Sequence, residues 1–175
     1  TEKEKDFEDL RMSIFAAMVD RMDQAIGRVL ATLKTQRQDQ NTLILFLSDN
    51  GGSPYARGRR GTLPDRDAAW EYSLGWAHVS CTPFRHYKRN MFNGGAATPF
   101  IAHWPAGLKP RGAVTDQRGH IIDLMATLVN VAGWEWPANF DGEPLAALPG
   151  KSLRPIFAGE ARVPHDVLYF HLMDH

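Results

Sequence analysis

Asp49 and Asn50, followed by Gly51 and Gly52, close the apolar run Leu43-Ile44-Leu45-Phe46-Leu47 after a single Ser48. A carboxylate and a carboxamide both offer hard oxygens, the donor type that Ca²⁺ and Mg²⁺ take. Two glycines let the chain turn sharply and bring backbone close to a bound group. An apolar run of this length, ended by turn residues, predicts a fully buried strand. In an open α/β sheet, ligands gather beyond the carboxyl ends of the strands, which would put Asp49 and Asn50 at the mouth of a site. The same four residues also suit a plain Asx turn that binds nothing. Arg57, Arg59 and Arg60 follow in a polar stretch. Such a cluster could meet an anionic substrate or simply be solvated. The seven histidines show no HExxH zinc motif.

The 175 residues suit one domain or part of a larger one. Apolar residues make up 43% of the chain, enough for a core. Lys plus Arg equals Asp plus Glu at 20 each, which removes the basic surplus that nonspecific nucleic-acid binding needs. The single cysteine, Cys81, excludes an internal disulfide. No apolar run approaches the roughly 18 residues of a membrane span. The chain begins Thr-Glu-Lys-Glu-Lys rather than with Met and lacks a signal-peptide pattern, so it is expected to be a fragment.

The elements around the acidic turn follow from periodicity. Phe7, Leu10, Ile14, Met18, Met22, Ile26, Val29 and Leu33 recur in steps of three and four, predicting one helix over 6–36. Met18 and Met22 read as core filler. Helix, short loop and buried strand is the alternation of a parallel α/β sheet. Residues 51–75 show no apolar period and read as a long irregular loop on the rim of the site. Thr98 to Pro105 predicts a short strand between prolines. His120 to Ala132 predicts a helix with Ile121, Leu124, Met125, Leu128 and Val131 inward and Gly133 at its C-terminal stop. Ser152 to Phe157 suits one helical turn, and Val167 to His171 a last strand.

Five ordered stretches together resemble the sulfatase family, within the alkaline-phosphatase-like superfamily. They are Met18 to Asp23 with Ile26-Gly27, Asn41 to Gly52, Gly75 to Lys88, Gly94-Gly95 to Trp104-Pro105, and His120 to Leu124 with Ala132-Gly133. A weaker match is Gly150 to Leu153. The resemblance implies an α/β fold: a partial alkaline-phosphatase-like sandwich, its mostly parallel sheet flanked by helices. Residues 1–159 would be the C-terminal half of the catalytic domain, and 160–175 the start of a truncated small C-terminal subdomain. Asp49 and Asn50 match the family's pair of metal ligands for Ca²⁺ (or Mg²⁺). Lys88 matches its sulfate-contacting lysine, a catalytic and substrate-binding role. A cation and an ammonium aimed at the sulfate oxygens would stabilise charge that grows as the S–O bond breaks.

Two departures stand out. Phe92-Asn93-Gly94-Gly95 replaces the family's common His-Glu-Gly-Gly, and Cys81 stands where relatives usually have Asn. Cys81-Thr82-Pro83-Phe84-Arg85 also satisfies the minimal Cys-x-Pro-x-Arg pattern for formylglycine. That motif normally lies near the family's N-terminus and carries Ser or Ala before the Arg. Cys81 is therefore read as an ordinary thiol, and formylglycine is expected upstream of this chain. His78, His86, His103 and His120 are read as structural, His120 with a capping role. The implied parent hydrolyses sulfate esters of a small molecule or glycan, in a periplasmic, extracellular or lysosomal setting, and this chain alone is inactive. Two other classes remain open: a phosphoesterase or phosphonate hydrolase of the same superfamily, and a non-catalytic sulfated-glycan binding module.

Overall fold

A computed structural model describes residues 1–55, 71–109 and 111–171. The Arg57, Arg59 and Arg60 cluster lies outside the described residues. The chain divides into two compact units. One comprises Thr1–Asp39, Leu45–Ile101 and the chain end from 170; the other comprises Gln40–Ile44 and Ala102–Tyr169.

The first unit begins with α1 (Glu2–Thr35). The N-terminal amine and Thr1 Oγ1 both donate to the Glu4 carboxylate, at 2.7 and 2.9 Å, placing an acid against the positive end of the helix. At the other end Arg37 adopts φ 56°. Its N–H reaches Lys34 O, and the Gln38 N–H reaches Leu33 O. That is the Schellman pattern, with arginine where glycine is usual. Packing is concentrated in the first half of α1. Phe15 stacks on Tyr72 with ring centroids 4.2 Å apart. Arg11 is buried beside Glu8 and over the Phe7 ring. Trp76 Nε1 donates to the Glu8 carbonyl at 3.1 Å, anchoring α2 (Leu74–Ser80).

Met18 and Met22 do not form core: they are 44% and 47% exposed. The residues that cover α1, at 72–76, reach only its earlier turns. The strand β1 (Ile44–Leu47) is shorter than the apolar run and is not fully buried; Phe46 is exposed. Among the described residues its sheet has one other strand, β2 (Phe100–His103), short of the wide parallel sheet whose strands are covered on both faces. Between them lies α3 (Asn93–Ala96).

The second unit is built on α4 (Asp123–Ala132), which starts three residues later than the periodicity suggests. Gly133 at φ 68° stops it, with the Trp134 N–H on Val129 O, the same closing pattern as α1. Its buried side is Asp123 and Thr127, whereas Ile121, Met125 and Leu128 are exposed. Polar bonding selects that face: Thr127 Oγ1 donates to the Asp123 carbonyl at 2.6 Å and accepts the Leu153 N–H at 2.9 Å. Leu153 and Phe157 complete the core from α5 (Arg154–Phe157). A hairpin pairs β3 (Asn139–Phe140) with β4 (Glu143–Pro144), antiparallel. Asp141 and Gly142, both at positive φ, make the turn that a two-residue hairpin loop requires. Val167 to His171 forms no strand. It pairs with neither of the two described two-stranded sheets.

Candidate functional site

The Asp49–Gly52 turn is held from three sides within the first unit. From below, Thr98 Oγ1 donates to the Ser48 carbonyl and Ser48 Oγ to the Asn50 carbonyl, each at 2.8 Å. From α3, the Gly95 carbonyl accepts the Gly51 N–H at 2.9 Å. From the segment after α2, Cys81 Sγ accepts the Gly52 N–H at 3.2 Å, and the Lys88 N–H donates to the Gly52 carbonyl at 3.0 Å. The sequence stretches at 41–52, 75–88 and 94–95 therefore converge on one turn.

The glycines are needed for that convergence. A Cβ on Gly51 would fall inside the Gly94 carbonyl, and one on Gly94 would fall against the His86 carbonyl. Backbone packs against backbone here, which only glycine permits. The approach to Lys88 is also forced: His86 and Arg89 have φ 61° and 73°. A non-glycine residue in the left-handed region costs about 1–2 kcal/mol, and such outliers gather at sites where geometry matters. His86 is braced by the Phe92 ring, centroids 4.9 Å apart.

The candidate ligands fit a hard cation in kind but are few. Asp49 is exposed, and its carboxylate has no hydrogen bond or ion pair among the described residues. Asn50 donates its Nδ2–H to the Gly51 carbonyl at 3.1 Å, which directs the amide nitrogen into the turn and leaves the Oδ1 lone pairs to face a cation. Among the described residues no group of three or more His, Cys, Asp or Glu could hold a metal ion. Two oxygens are fewer than the 6–8 that Ca²⁺ takes. The Lys88 side chain is half-buried with no partner among the described residues.

Beside the turn is a cavity of about 510 Å³, lined by Phe15, Asn50, Gly52, Tyr72, Cys81 and Thr98 among others. Asn50 faces it, while Asp49 and Lys88 do not line it. Cys81 is free and only 8% exposed, a buried thiol used as an acceptor. His120 Nδ1 accepts the Ile122 N–H at 3.3 Å, a contact in the turn before α4 rather than a cap on the helix itself.

Sequence reasoning missed the other polar centre, in the second unit. Asp123 is fully buried, with Arg162 Nη1 at 2.8 Å and His165 Nε2 at 2.6 Å. The only sequence signal was an acid in the first turn of an apolar helix; both partners lie about forty residues on, in a stretch without periodicity.

A sequence model of the Sulfatase family matches residues 2–134. An arylsulfatase of Klebsiella aerogenes is 29% identical over 166 residues, 86% of this chain and 36% of that protein. An N-acetylgalactosamine-6-sulfatase of Canis lupus familiaris is 34% identical over 144 residues, 79% of this chain and 24% of the relative. A steryl-sulfatase of Mus musculus is 29% identical over 153 residues, 87% and 21%. The chain thus spans about a third or less of the curated relatives' length. No helix of the described residues is long and apolar enough to cross a membrane. With that model matching most of its length, the chain belongs to the sulfatase family.

Proposed function

We propose that this chain supplies part of the metal and sulfate site of a sulfuric ester hydrolase. Asp49 and Asn50 would hold Ca²⁺ (or Mg²⁺) through their oxygens, and Lys88 would bind a sulfate oxygen of the substrate. The observation that carries the reading is the hydrogen bond from the Lys88 N–H to the Gly52 carbonyl, which ties the candidate sulfate contact to the candidate metal turn. A bound divalent cation would draw negative charge from the sulfate oxygens. Lys88, a compact ammonium, would neutralise charge on one or two of those oxygens and hold the group against the turn. Cys81 keeps the turn in place from behind and is not the nucleophile. The formylglycine and further acidic ligands belong to a part of the sulfatase fold outside these residues. The mostly parallel sheet of the family would likewise be completed there. The substrate class is a sulfated small molecule or glycan, met in a periplasmic, extracellular or lysosomal setting.

The reading is tested by turnover of a chromogenic aryl sulfate by the purified chain with excess Ca²⁺. A unit lacking its nucleophile loses most of its rate, so no release above the uncatalysed background is expected. Robust, Ca²⁺-dependent release would overturn the claim that the nucleophile lies elsewhere.

A further inference from the structure

The Asp123 centre joins three stretches of the second unit. Its Oδ2 accepts the His120 N–H at 2.9 Å and Arg162 Nη1 at 2.8 Å. Its Oδ1 accepts the Lys151 N–H at 2.8 Å and lies 2.6 Å from His165 Nε2. Arg162 goes further, donating to the Lys151 carbonyl at 2.8 Å and the Arg118 carbonyl at 2.6 Å. Its side chain is 4% exposed. A buried guanidinium with three acceptors is geometrically committed in a way a surface ion pair is not.

The backbone around Arg162 is held as well. The Glu160 N–H reaches Pro155 O at 2.9 Å. Gln117 grips both sides: its Nε2 donates to the Glu160 carbonyl at 3.2 Å, and its Oε1 accepts the Arg162 N–H at 2.9 Å. Lys151 Nζ donates to the Pro164 carbonyl at 2.7 Å. Yet the stretch carries almost no apolar anchor: Val163 is 72% exposed. Polar bonds, not burial of apolar area, hold it down.

We propose that Glu160–His165 is a strap clasped onto the start of α4 by the Asp123 carboxylate. The strap belongs with α4 rather than opening a separate C-terminal subdomain, and it can lift as one piece while α4 stays folded. A segment with few apolar contacts, held mainly by polar bonds, is the kind that opens below the global unfolding limit. The clasp also fixes the direction in which the chain leaves toward Val167 and beyond.

The test is residue-resolved amide hydrogen exchange on the purified chain, comparing Glu160 and Arg162 with Thr127 to Val131 inside α4. Three proteins are compared: wild type, Arg162→Gln, and the double variant Asp123→Asn/Arg162→Gln. The double variant removes both charges and so avoids leaving one buried alone. In the wild type the strap amides are expected to exchange at least about tenfold faster than those of α4, and in both variants the strap amides are expected to accelerate at least about tenfold further. Strap exchange in the variants equal to wild type would overturn the clasp. So would wild-type strap amides as slow as those of α4, which would make Asp123 an ordinary core group of one cooperative unit.

Discussion

At the scale of single residues, two carboxylates illustrate opposite uses of charge. Asp49 stands exposed beyond the end of β1 with no partner among the described residues. Asp123 is fully buried and saturated. Burial by itself would push the Asp123 carboxyl upward. The Lys151 N–H, His165, Arg162 and the His120 N–H more than offset it and bring the group from 3.8 down to about 2. A carboxyl lowered in the folded state stabilises that state above its ordinary value and loses the contribution as pH falls through the folded value. Asp123 should therefore contribute on the order of 2 kcal/mol at neutral pH, fading between about pH 4 and pH 2. Urea unfolding of wild type and Asp123→Asn measures this. Their midpoints should differ by a constant amount from about pH 5 to 7 and converge as pH drops below about 4. A difference independent of pH down to about pH 2 would show that charge at this position is not what stabilises the fold.

The two helix ends allow a paired test at the scale of elements. Arg37 and Gly133 occupy the same left-handed position of the same closing motif, at φ 56° and 68°. Arg37 is exposed, so replacing it with glycine removes strain and little contact. Nothing lies within 4 Å of a Cβ on Gly133, so Gly133→Ala adds strain and no clash. Arg37→Gly should stabilise and Gly133→Ala destabilise, each by about 1 kcal/mol, read as opposite shifts in thermal midpoint. The glycines of the site belong to a harsher class. A Cβ on Gly51 meets the Gly94 carbonyl and one on Gly94 the His86 carbonyl, and backbone cannot turn aside. Legibility in the sequence follows the same physics. Gly133 was readable as a stop because glycine's freedom is intrinsic to the residue. Arg37 was not, since arginine has no such preference. The helix starting at Leu74 was hidden because Ser73 and Trp76 take their partner from Glu8, more than sixty residues earlier.

At the scale of the whole molecule, ordered motifs carried further than periodicity. The sulfatase family was legible because five stretches kept their order along the chain, and the family model covers all five. The burial of β1, Met18 and Met22 was read as for a complete sheet and core, whereas these residues are half-buried or exposed in a chain spanning about a third or less of its relatives. The strap was illegible because polar bonds between residues far apart in the chain, not an apolar repeat, hold it. What remains central is the claim that Asp49 and Asn50 are metal ligands in an incomplete site. Two ligands bind a hard cation weakly, so the fitting measurement is a Ca²⁺ titration followed by the amide resonances of Gly51 and Gly52 in wild type and Asp49→Ala. Both resonances should move saturably at roughly millimolar Ca²⁺ in wild type and stay in place in the variant. Resonances that fail to move in wild type, or move equally without Asp49, would contradict the account.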